Sequence, residues 1–120
     1  MAVNGYPNMF LLLGPNTGLG HNSVLFMIES QVRYAMDCLN MLWKGAGSLE
    51  VKGDVQAAFN ATLHEKMKST VWMSGCKSWY LNPNGTNSTI WPYFTVTYWR
   101  KTRSAKRQDF ELAPVRIPAA

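Results

Sequence analysis

The residues best suited to bind a ligand form a glycine-rich segment near the beginning of the chain. Gly14 begins a ten-residue run, Gly-Pro-Asn-Thr-Gly-Leu-Gly-His-Asn-Ser, which ends at Ser23 and contains three glycines. Glycine lets the backbone approach a ligand closely because it has no side chain. The N-terminus of a following helix would add unpaired N–H groups and a partial positive charge, which favour anions and electron-rich carbonyls. The run is therefore a candidate ligand-binding loop.

Part of this loop is close to the fingerprint of dinucleotide-binding proteins. Residues 18–23 match G-x-G-x-x-G/A except that Ser23 takes the last place. The acidic residue expected about 20 positions later has only Asp37 as a counterpart, and Asp37 lies inside the predicted helix that follows the loop. The full Rossmann interpretation is therefore poorly supported. A ligand-facing turn and a plain surface loop both remain open.

Other catalytic or metal-binding arrangements lack the residues that they need. His21 and His64 are the only histidines, and neither has a cysteine or carboxylate at ligand spacing, so no metal site is predicted. Glu29 and Asp37 are about two helical turns apart, which is too far for a carboxylate pair. Ser23 has no G-x-S-x-G context. Hydrolase chemistry is therefore not predicted, and no catalytic residue is assigned.

The second half of the chain is rich in aromatic residues that could stack on a base or a planar cofactor. For most of them we favour the simpler interpretation that they fill a small core between short strands. Trp79 and Tyr80 are exceptions, because they adjoin a polar turn and not an apolar run. The residues concerned are Trp72, Trp79, Tyr80, Trp91, Tyr93, Tyr98 and Trp99.

A strand and two helices are expected to position these residues. The continuous apolar run at residues 9–13, bounded by turn formers, predicts a strand buried on both faces. A long helix is predicted after the loop, with Asn22 or Ser23 as its N-cap and a stop at Gly45. A second helix, capped by Asp54, is predicted over about residues 54–68. The helical spacing in the first of these comes from Val24, Ile28, Gln31, Val32, Ala35, Cys38, Leu39 and Leu42.

The rest of the chain is predicted to form short aromatic strands and an irregular tail. Residues 94–99 alternate between two sets of side chains, which is typical of a strand. Residues 49–52 form a short strand or an extended connector, and residues 113–120, with two prolines, are predicted to be irregular. The fold class is α/β and fragment-like: one buried strand, a glycine-rich loop, a long helix, a second helix, and then short strands. The other short aromatic segments are residues 71–73, 78–81 and 90–91.

The excess of positive over negative charge in the 120-residue chain comes from one segment. Lys and Arg number 12 against 7 Asp and Glu, a net charge of +5. The basic run, as we call it, accounts for the whole excess, and without it the charges balance. Such a run can bind phosphates, but a solvated edge or tail is the simpler interpretation, so nucleic acid is not favoured as a partner. The basic run consists of Arg100, Lys101, Arg103, Lys106 and Arg107.

The composition predicts a cytoplasmic protein. No apolar run approaches the length of about 20 residues that a membrane span needs. The first residues lack the basic flank and apolar stretch of a signal peptide. Cys38 and Cys76 alone cannot form a disulfide framework. Three Asn-x-Thr triplets, which begin at Asn60, Asn84 and Asn87, are therefore attributed to chance.

The order of these motifs resembles the C-terminal part of class B flavoprotein monooxygenases, which include the Baeyer–Villiger and flavin-containing monooxygenases. The first matching segment runs from Tyr6-Pro-Asn-Met-Phe through Leu-Leu-Leu-Gly-Pro-Asn-Thr-Gly-Leu-Gly-His-Asn to Ser23, and Ile28-Glu-Ser-Gln-Val32 follows it. Cys76-Lys-Ser-Trp-Tyr-Leu81 and Ile90-Trp-Pro92 resemble a later segment of the same family. The resemblance covers nearly the whole chain.

The resemblance implies two cofactors, FAD and NADPH. In the family, NADPH reduces FAD, and one atom of O2 is then transferred to a small organic substrate such as a ketone or a soft nitrogen or sulfur compound. Trp79 would lie in a loop that folds over NADPH. Residues 1–47 would be the last strand, loop and helix of an FAD domain, residues 48–112 a C-terminal segment of helix and short strands, and residues 113–120 the tail. The residues implied to face the flavin are Gly14, Pro15, Asn16, Thr17 and Gly18.

The family's N-terminal fingerprints for FAD and NADPH have no counterpart in these 120 residues. We therefore expect the chain to be a C-terminal fragment or truncated product that is inactive alone, with exposed apolar surface that could self-associate. The alternative is a small basic module that binds nucleic acid or another polyanion through the basic run and the aromatic residues. A third possibility is a non-catalytic interaction protein. The substrate is not readable from these residues.

Overall fold

The computed structural model describes residues 1–20, 23–75 and 78–114, which form two small sheets and three α-helices. Strands β1 and β2 pair as an antiparallel hairpin, and β3 pairs with β4 in a second antiparallel sheet. Short 3-10 turns cover Val71–Met73 and Arg107–Asp109. The elements are β1 (Ala2–Val3), β2 (Tyr6–Phe10), α1 (Val24–Trp43), β3 (Ala46–Val51), α2 (Gly53–Lys68), α3 (Thr95–Thr102) and β4 (Phe110–Pro114). The predicted mixture of helices and short strands is confirmed.

The two long helices lie where the sequence predicts them. Ser23 occupies the N-cap position of α1, while the alternative cap, Asn22, lies outside the described residues. Gly45 ends this helix with a φ of +110°, a left-handed conformation that glycine adopts without a steric penalty. The prediction of Asp54 as the cap of α2 is wrong, because Lys52 holds that position and Asp54 lies in the first turn. There its negative charge still interacts favourably with the positive, N-terminal end of the helix.

Among the described residues, no helix combines the length and apolar character needed to cross a membrane.

The predicted strand at residues 9–13 is displaced and is not buried on both faces. Strand β2 ends at Phe10, and its hydrogen-bonded neighbour is the two-residue β1. Leu12 and Leu13 are 50% and 47% exposed, and Leu13 has a φ of +52°, which turns the chain out of an extended path. A continuous apolar run is buried on both faces only when other layers cover it. No such cover comes from the part of the chain that the structure describes.

The predicted aromatic strand at residues 94–99 is wrong, because α3 occupies this segment. Thr95, Tyr98 and Thr102 are buried at helical spacing, whereas Phe94 and Val96 are 77% and 50% exposed. The alternation of residues 94–99 in the sequence therefore does not mark a strand. One face of the helix is buried, and the apolar residues beside that face are exposed. Residues 71–73 form a 3-10 turn instead of a strand, and the remaining short aromatic segments contribute isolated bridges, Gly18 with Ile90 and Leu81 with Asn87.

The second sheet confirms one prediction and corrects another. The extended segment predicted at residues 49–52 lies mostly within β3, which pairs with β4 from Ala46 opposite Pro114 to Val51 opposite Phe110. Ala113 and Pro114 are therefore strand residues and not the start of an irregular tail. A proline is tolerated at the end of an edge strand, where its missing N–H is not needed. Residues 115–120 of the predicted tail lie outside the described residues.

Two apolar clusters stabilise the fold, and α1 contributes a buried residue to each of them. Met27, Leu63, Trp91 and Tyr98 form the first, which joins α1 to α2 and α3. The second joins α1 to the β3–β4 sheet through Cys38, Leu49, Val51 and Phe110. The core role predicted for Trp91 and Tyr98 is confirmed, since both are nearly inaccessible to solvent. Trp79, by contrast, is 80% exposed, as its polar surroundings in the sequence indicated.

Buried side chains in these clusters have raised pKa values, and this predicts a loss of stability at alkaline pH. Burial raises the pKa of Cys38 from 9.0 and that of Tyr98 from 10.0, each to about 12, and the Gln31 amide opposes the effect on Tyr98 only in part. Because the unfolded chain loses these protons first, stability that is fully present below about pH 9 should decline as the pH approaches 12.

Urea unfolding at a series of pH values from about 8 to 11 measures this decline. Burial also raises the pKa of Tyr34, which packs against the second cluster. Tyr98→Phe removes one of these titrating groups while keeping the ring, so it should make the decline shallower. A free energy of unfolding that stays constant above pH 10, or the same decline in the Tyr98→Phe variant, would contradict the assignment.

Candidate functional site

An open groove brings together the two regions that the sequence singled out. Residues 13–15, 17–19 and 88–90 form its inner wall with the start of α1, and Trp79 and Tyr80 form the opposite wall. The groove has a volume of about 640 Å³. Four of the five loop residues implied to face a flavin border it, together with Trp79 across the opening. The residues that line it are Leu13, Gly14, Pro15, Thr17, Gly18, Leu19, Val24, Trp79, Tyr80, Ser88, Thr89 and Ile90.

Asn16, the fifth loop residue, points away from the groove and fastens the loop to the second half of the chain. Its backbone N–H donates to the Ser88 carbonyl over 2.7 Å. Its side-chain Nδ2 donates to the carbonyls of Asn87 and Ile90 over 2.9 and 3.0 Å. Asn16 is 7% exposed and has a φ of +54°, which asparagine tolerates better than most residues. These hydrogen bonds therefore fix the loop, and a contact between Asn16 and a flavin stays a prediction.

Gly18 allows the loop backbone to lie directly against the segment around Thr89. The Gly18 N–H donates to the Thr89 carbonyl over 2.8 Å, and the Gly18 carbonyl accepts from the Trp91 N–H over 2.8 Å. A Cβ atom at Gly18 would lie 2.9 Å from the Thr89 oxygen, closer than real contacts permit. Thr17 is also constrained, because its hydroxyl donates to the Gly14 carbonyl over 2.6 Å. The inner wall of the groove is therefore rigid backbone.

Two buried amide side chains support this wall, and the sequence analysis gave neither of them a role. Gln31 of α1 is fully buried, and its Oε1 accepts the Leu13 N–H over 2.8 Å. Asn87 is 1% exposed, and its Oδ1 accepts the N–H groups of Thr89 and Ile90 over 3.1 and 3.0 Å. Gln31 is a polar residue at a position where the helical spacing of α1 places apolar side chains, and this could have indicated that its side chain is buried and hydrogen-bonded. Asn87 gave no signal, because it sits in a run of polar turn residues.

The opposite wall consists of aromatic rings that belong to a cluster of three. The ring of Trp79 lies 4.2 Å from that of Tyr80, centroid to centroid, and Tyr80 meets Trp72 edge-on at 5.6 Å. Trp72 in turn packs against Gly20, where a Cβ atom would come within 2.4 Å of its ring. The exposed indole of Trp79 is thus backed by a chain of aromatic contacts that leads to the end of the loop. This geometry suits stacking against a planar ligand.

The groove is uncharged. None of the described residues that line it carries a formal charge, and Leu13, Leu19, Val24 and Ile90 give it apolar patches beside the loop backbone. Val24 is the first residue of α1, so the positive end of that helix borders the groove. These residues fit the edge of a neutral or electron-rich planar ring, but they offer no lysine or arginine for a diphosphate. In the described part of the chain, no three His, Cys, Asp or Glu side chains come together as a metal site.

The basic run lies away from the groove. All five of its side chains are exposed, and Arg103 lies 6.0 Å from the ring of Trp99. Arg100 and Lys101 occupy the last turn of α3, where their positive charges interact favourably with the negative, C-terminal end of the helix. This local role accounts for part of the basic run. Binding of a polyanion by it stays a prediction.

Comparison with known proteins agrees with the resemblance carried by the motifs. A protein named Baeyer-Villiger monooxygenase from Pseudomonas aeruginosa is 46% identical over 118 residues, which cover 96% of this chain and 22% of the relative. A protein of the same name from Streptomyces coelicolor is 39% identical over 96% of this chain and 23% of its own length. The FAD-binding monooxygenase ktnD of Aspergillus niger is 30% identical over 93% of the chain. No protein-family model and no solved structure matches the chain.

The chain spans about a fifth of the length of these relatives. An identity of 46% over almost the whole of the chain is too extensive to come from one shared motif, and it includes both walls of the groove. The resemblance predicted from the motifs is therefore confirmed: this chain is homologous, along nearly all of its length, to one part of the Baeyer–Villiger monooxygenases.

Proposed function

We propose that this chain is the C-terminal part of an FAD- and NADPH-dependent monooxygenase, and that its groove receives the edge of the flavin ring. The observation that carries the proposal is the convergence of the 14–18 loop and Trp79 on one uncharged groove. The two segments are about 60 residues apart in the sequence, and each was singled out by a different motif. A loop and an aromatic side chain that meet across a groove are suited to hold a planar ring between them.

When bound, FAD would supply the redox chemistry that activates O2, which no side chain of this chain can supply. The name of the Aspergillus niger relative supports FAD as the cofactor. The chain's own contribution is to bind and orient. Gly14 and Gly18 border the groove without a side chain, and the start of α1 favours electron density there. Leu13, Leu19 and Val24 would limit the access of water.

Trp79 is proposed to contact NADPH. Its indole is exposed at the mouth of the groove and is supported from behind by Tyr80. In the proposed division of the chain, residues 1–47 belong to an FAD domain, residues 48–112 to a C-terminal segment and residues 113–120 to a tail, and the first two parts both line the groove. Strand β3 crosses the first of these boundaries, so the two parts would share one sheet.

The remaining cofactor contacts are proposed to lie in a longer polypeptide. The described groove has no basic side chain for the FAD diphosphate, and the relatives are about four to five times the length of the chain. The full enzyme would insert one oxygen atom from O2 into a ketone or a soft nitrogen or sulfur compound. Alone, the chain is expected to be inactive.

Titration of the isolated chain with FAD tests this proposal. We expect no tight binding and no visible flavin absorbance after purification, because none of the described residues that line the groove offers a counter-charge to the diphosphate. Tight binding by the chain alone would contradict the proposal that it is one part of a larger flavoprotein. Flavin retained after co-expression with the rest of the Pseudomonas aeruginosa relative, without its 118 matched residues, would support it.

The role of Trp79 can be tested in the same co-expressed assembly. Trp79→Ala should raise the KM for NADPH roughly tenfold, which corresponds to the loss of about one aromatic contact, and should leave the flavin content unchanged. Phe94→Ala is the matched control, since Phe94 is a similarly exposed aromatic residue that does not line the groove. Equal effects of the two substitutions on the KM would show that Trp79 has no particular contact with the cofactor.

A further inference from the structure

Helix α1 carries a second apolar face that no described residue covers. Seven large apolar side chains on this helix are exposed, and at 100° per residue five of them fall within about 60° of its circumference. They extend along about 27 Å, nearly the full length of the helix. We call this set the α1 stripe. It consists of Leu25 (70% exposed), Val32 (43%), Met36 (51%), Leu39 (41%) and Trp43 (92%).

The α1 stripe lies opposite the face by which α1 packs in this chain. Met27, Gln31 and Cys38 are completely buried and point toward the two apolar clusters, on the other side of the helix axis. A surface helix normally has one apolar face and one polar face, whereas a helix that is apolar on both sides lies between two layers. The described fold provides only one of these layers.

The α1 stripe begins beside the groove. Leu25, its first residue, follows Val24, which lines the groove. Single exposed apolar residues are common on soluble proteins, but five that are aligned along one face of a helix mark an interaction surface.

We infer that the α1 stripe is the docking surface for the part of the monooxygenase polypeptide that the relatives contain and this chain does not. The chain spans 22% and 23% of the two Baeyer-Villiger monooxygenases, so most of such a polypeptide is available to supply the second layer. The inference rests on the proposal that the chain is one portion of a longer monooxygenase. It does not depend on the flavin groove, because its occupant is an apolar protein surface and not a cofactor.

Co-expression provides a test that does not require either partner to fold alone. The chain, carrying an affinity tag, is expressed together with the Pseudomonas aeruginosa relative from which the 118 matched residues have been removed. We expect the two to co-purify in equal amounts, and the soluble yield of the relative to rise several-fold over its yield without the chain. Failure of both would overturn the inference, as would a stable homodimer of the chain that persists in the presence of the relative.

A pair of double variants locates the contact on the helix. Val32→Asp with Leu39→Asp places two charges in the α1 stripe and should reduce co-purification at least tenfold. The matched control, Arg33→Asp with Asn40→Asp, places two aspartates at the adjacent exposed positions outside the stripe and should leave co-purification unchanged. Equal losses in both variants would overturn the inference.

Thermal unfolding of the two variants separates docking from folding. Because Val32 and Leu39 are exposed in this chain, the stripe variant should melt at the same temperature as the control variant. A stripe variant that melts much lower would mean that these side chains stabilise the chain itself, and the inference would fail. Flavin absorbance is not used in this test, so a complex that forms without flavin would contradict the proposed function and still support the docking surface.

Discussion

Replacement of Trp91 by alanine is expected to lower the free energy of unfolding by about 3–5 kcal/mol. Trp91 is 1% exposed, and its ring contacts those of Tyr98 at 5.0 Å, Tyr93 at 5.3 Å and Phe59 at 6.5 Å between centroids. It therefore joins α2 and α3 at the centre of the first apolar cluster. A domain of this size has a total stability of only about 5–15 kcal/mol, so the variant should be largely unfolded under mild denaturing conditions.

Urea unfolding followed by far-ultraviolet circular dichroism measures this loss. Trp79→Ala is the matched control, because it removes the same side chain from a site that is 80% exposed, and its stability should change by less than about 0.5 kcal/mol. Similar losses for the two tryptophans would contradict the assignment of Trp91 to the core and of Trp79 to the surface.

Replacement of Asn16 by glycine is expected to cost about 2–4 kcal/mol and to loosen the groove. Glycine accepts the φ of +54° at this position, so the change removes the two side-chain hydrogen bonds to Asn87 and Ile90 without adding backbone strain. Asn16→Ala should cost more than Asn16→Gly, since a Cβ-bearing residue is less favourable at positive φ.

Hydrogen exchange at residues 16 and 18, together with urea unfolding, measures the effect on the loop and on global stability. Asn84→Gly serves as the control, because Asn84 lies in an exposed polar turn of the second half and should cost less than about 0.5 kcal/mol. If Asn16→Gly left both the exchange rates and the unfolding free energy unchanged, the side-chain hydrogen bonds would not be holding the loop.

The features that follow from local sequence were predictable, and those that depend on distant partners were not. Helix α1 was predicted because its stop at Gly45 and its apolar spacing are local signals. Helix α3 was missed, because threonine and aromatic residues favour strands and its buried face becomes visible only when Tyr98 packs against Met27 and Trp91. The buried strand at residues 9–13 was overestimated for the opposite reason: its apolar residues lack a second layer among the described residues.

The candidate site shows the same division. The loop was found from its glycines and Trp79 from its polar neighbours, and their placement on one groove was an outcome of the fold. The anchoring role of Asn16 depends on a contact with a residue 71 positions away, which no local pattern encodes. Asn16 and Asn87 are both typical turn residues, so their burial could not be anticipated from their surroundings in the sequence.

The hydrogen bonds between Asn16 and residues 87–90 also set the order in which the protein can mature on the ribosome. The loop and α1 leave the ribosome long before the segment that fixes the loop, because chains emerge from the N-terminus. Until residue 90 has been synthesised, the Asn16 amide has no partner at Asn87 or Ile90, and the inner wall of the groove cannot close. The inner wall can therefore form only after residue 90 has been synthesised, and a product that ends before residue 87 would lack the hydrogen bonds that hold the loop to the second half of the chain.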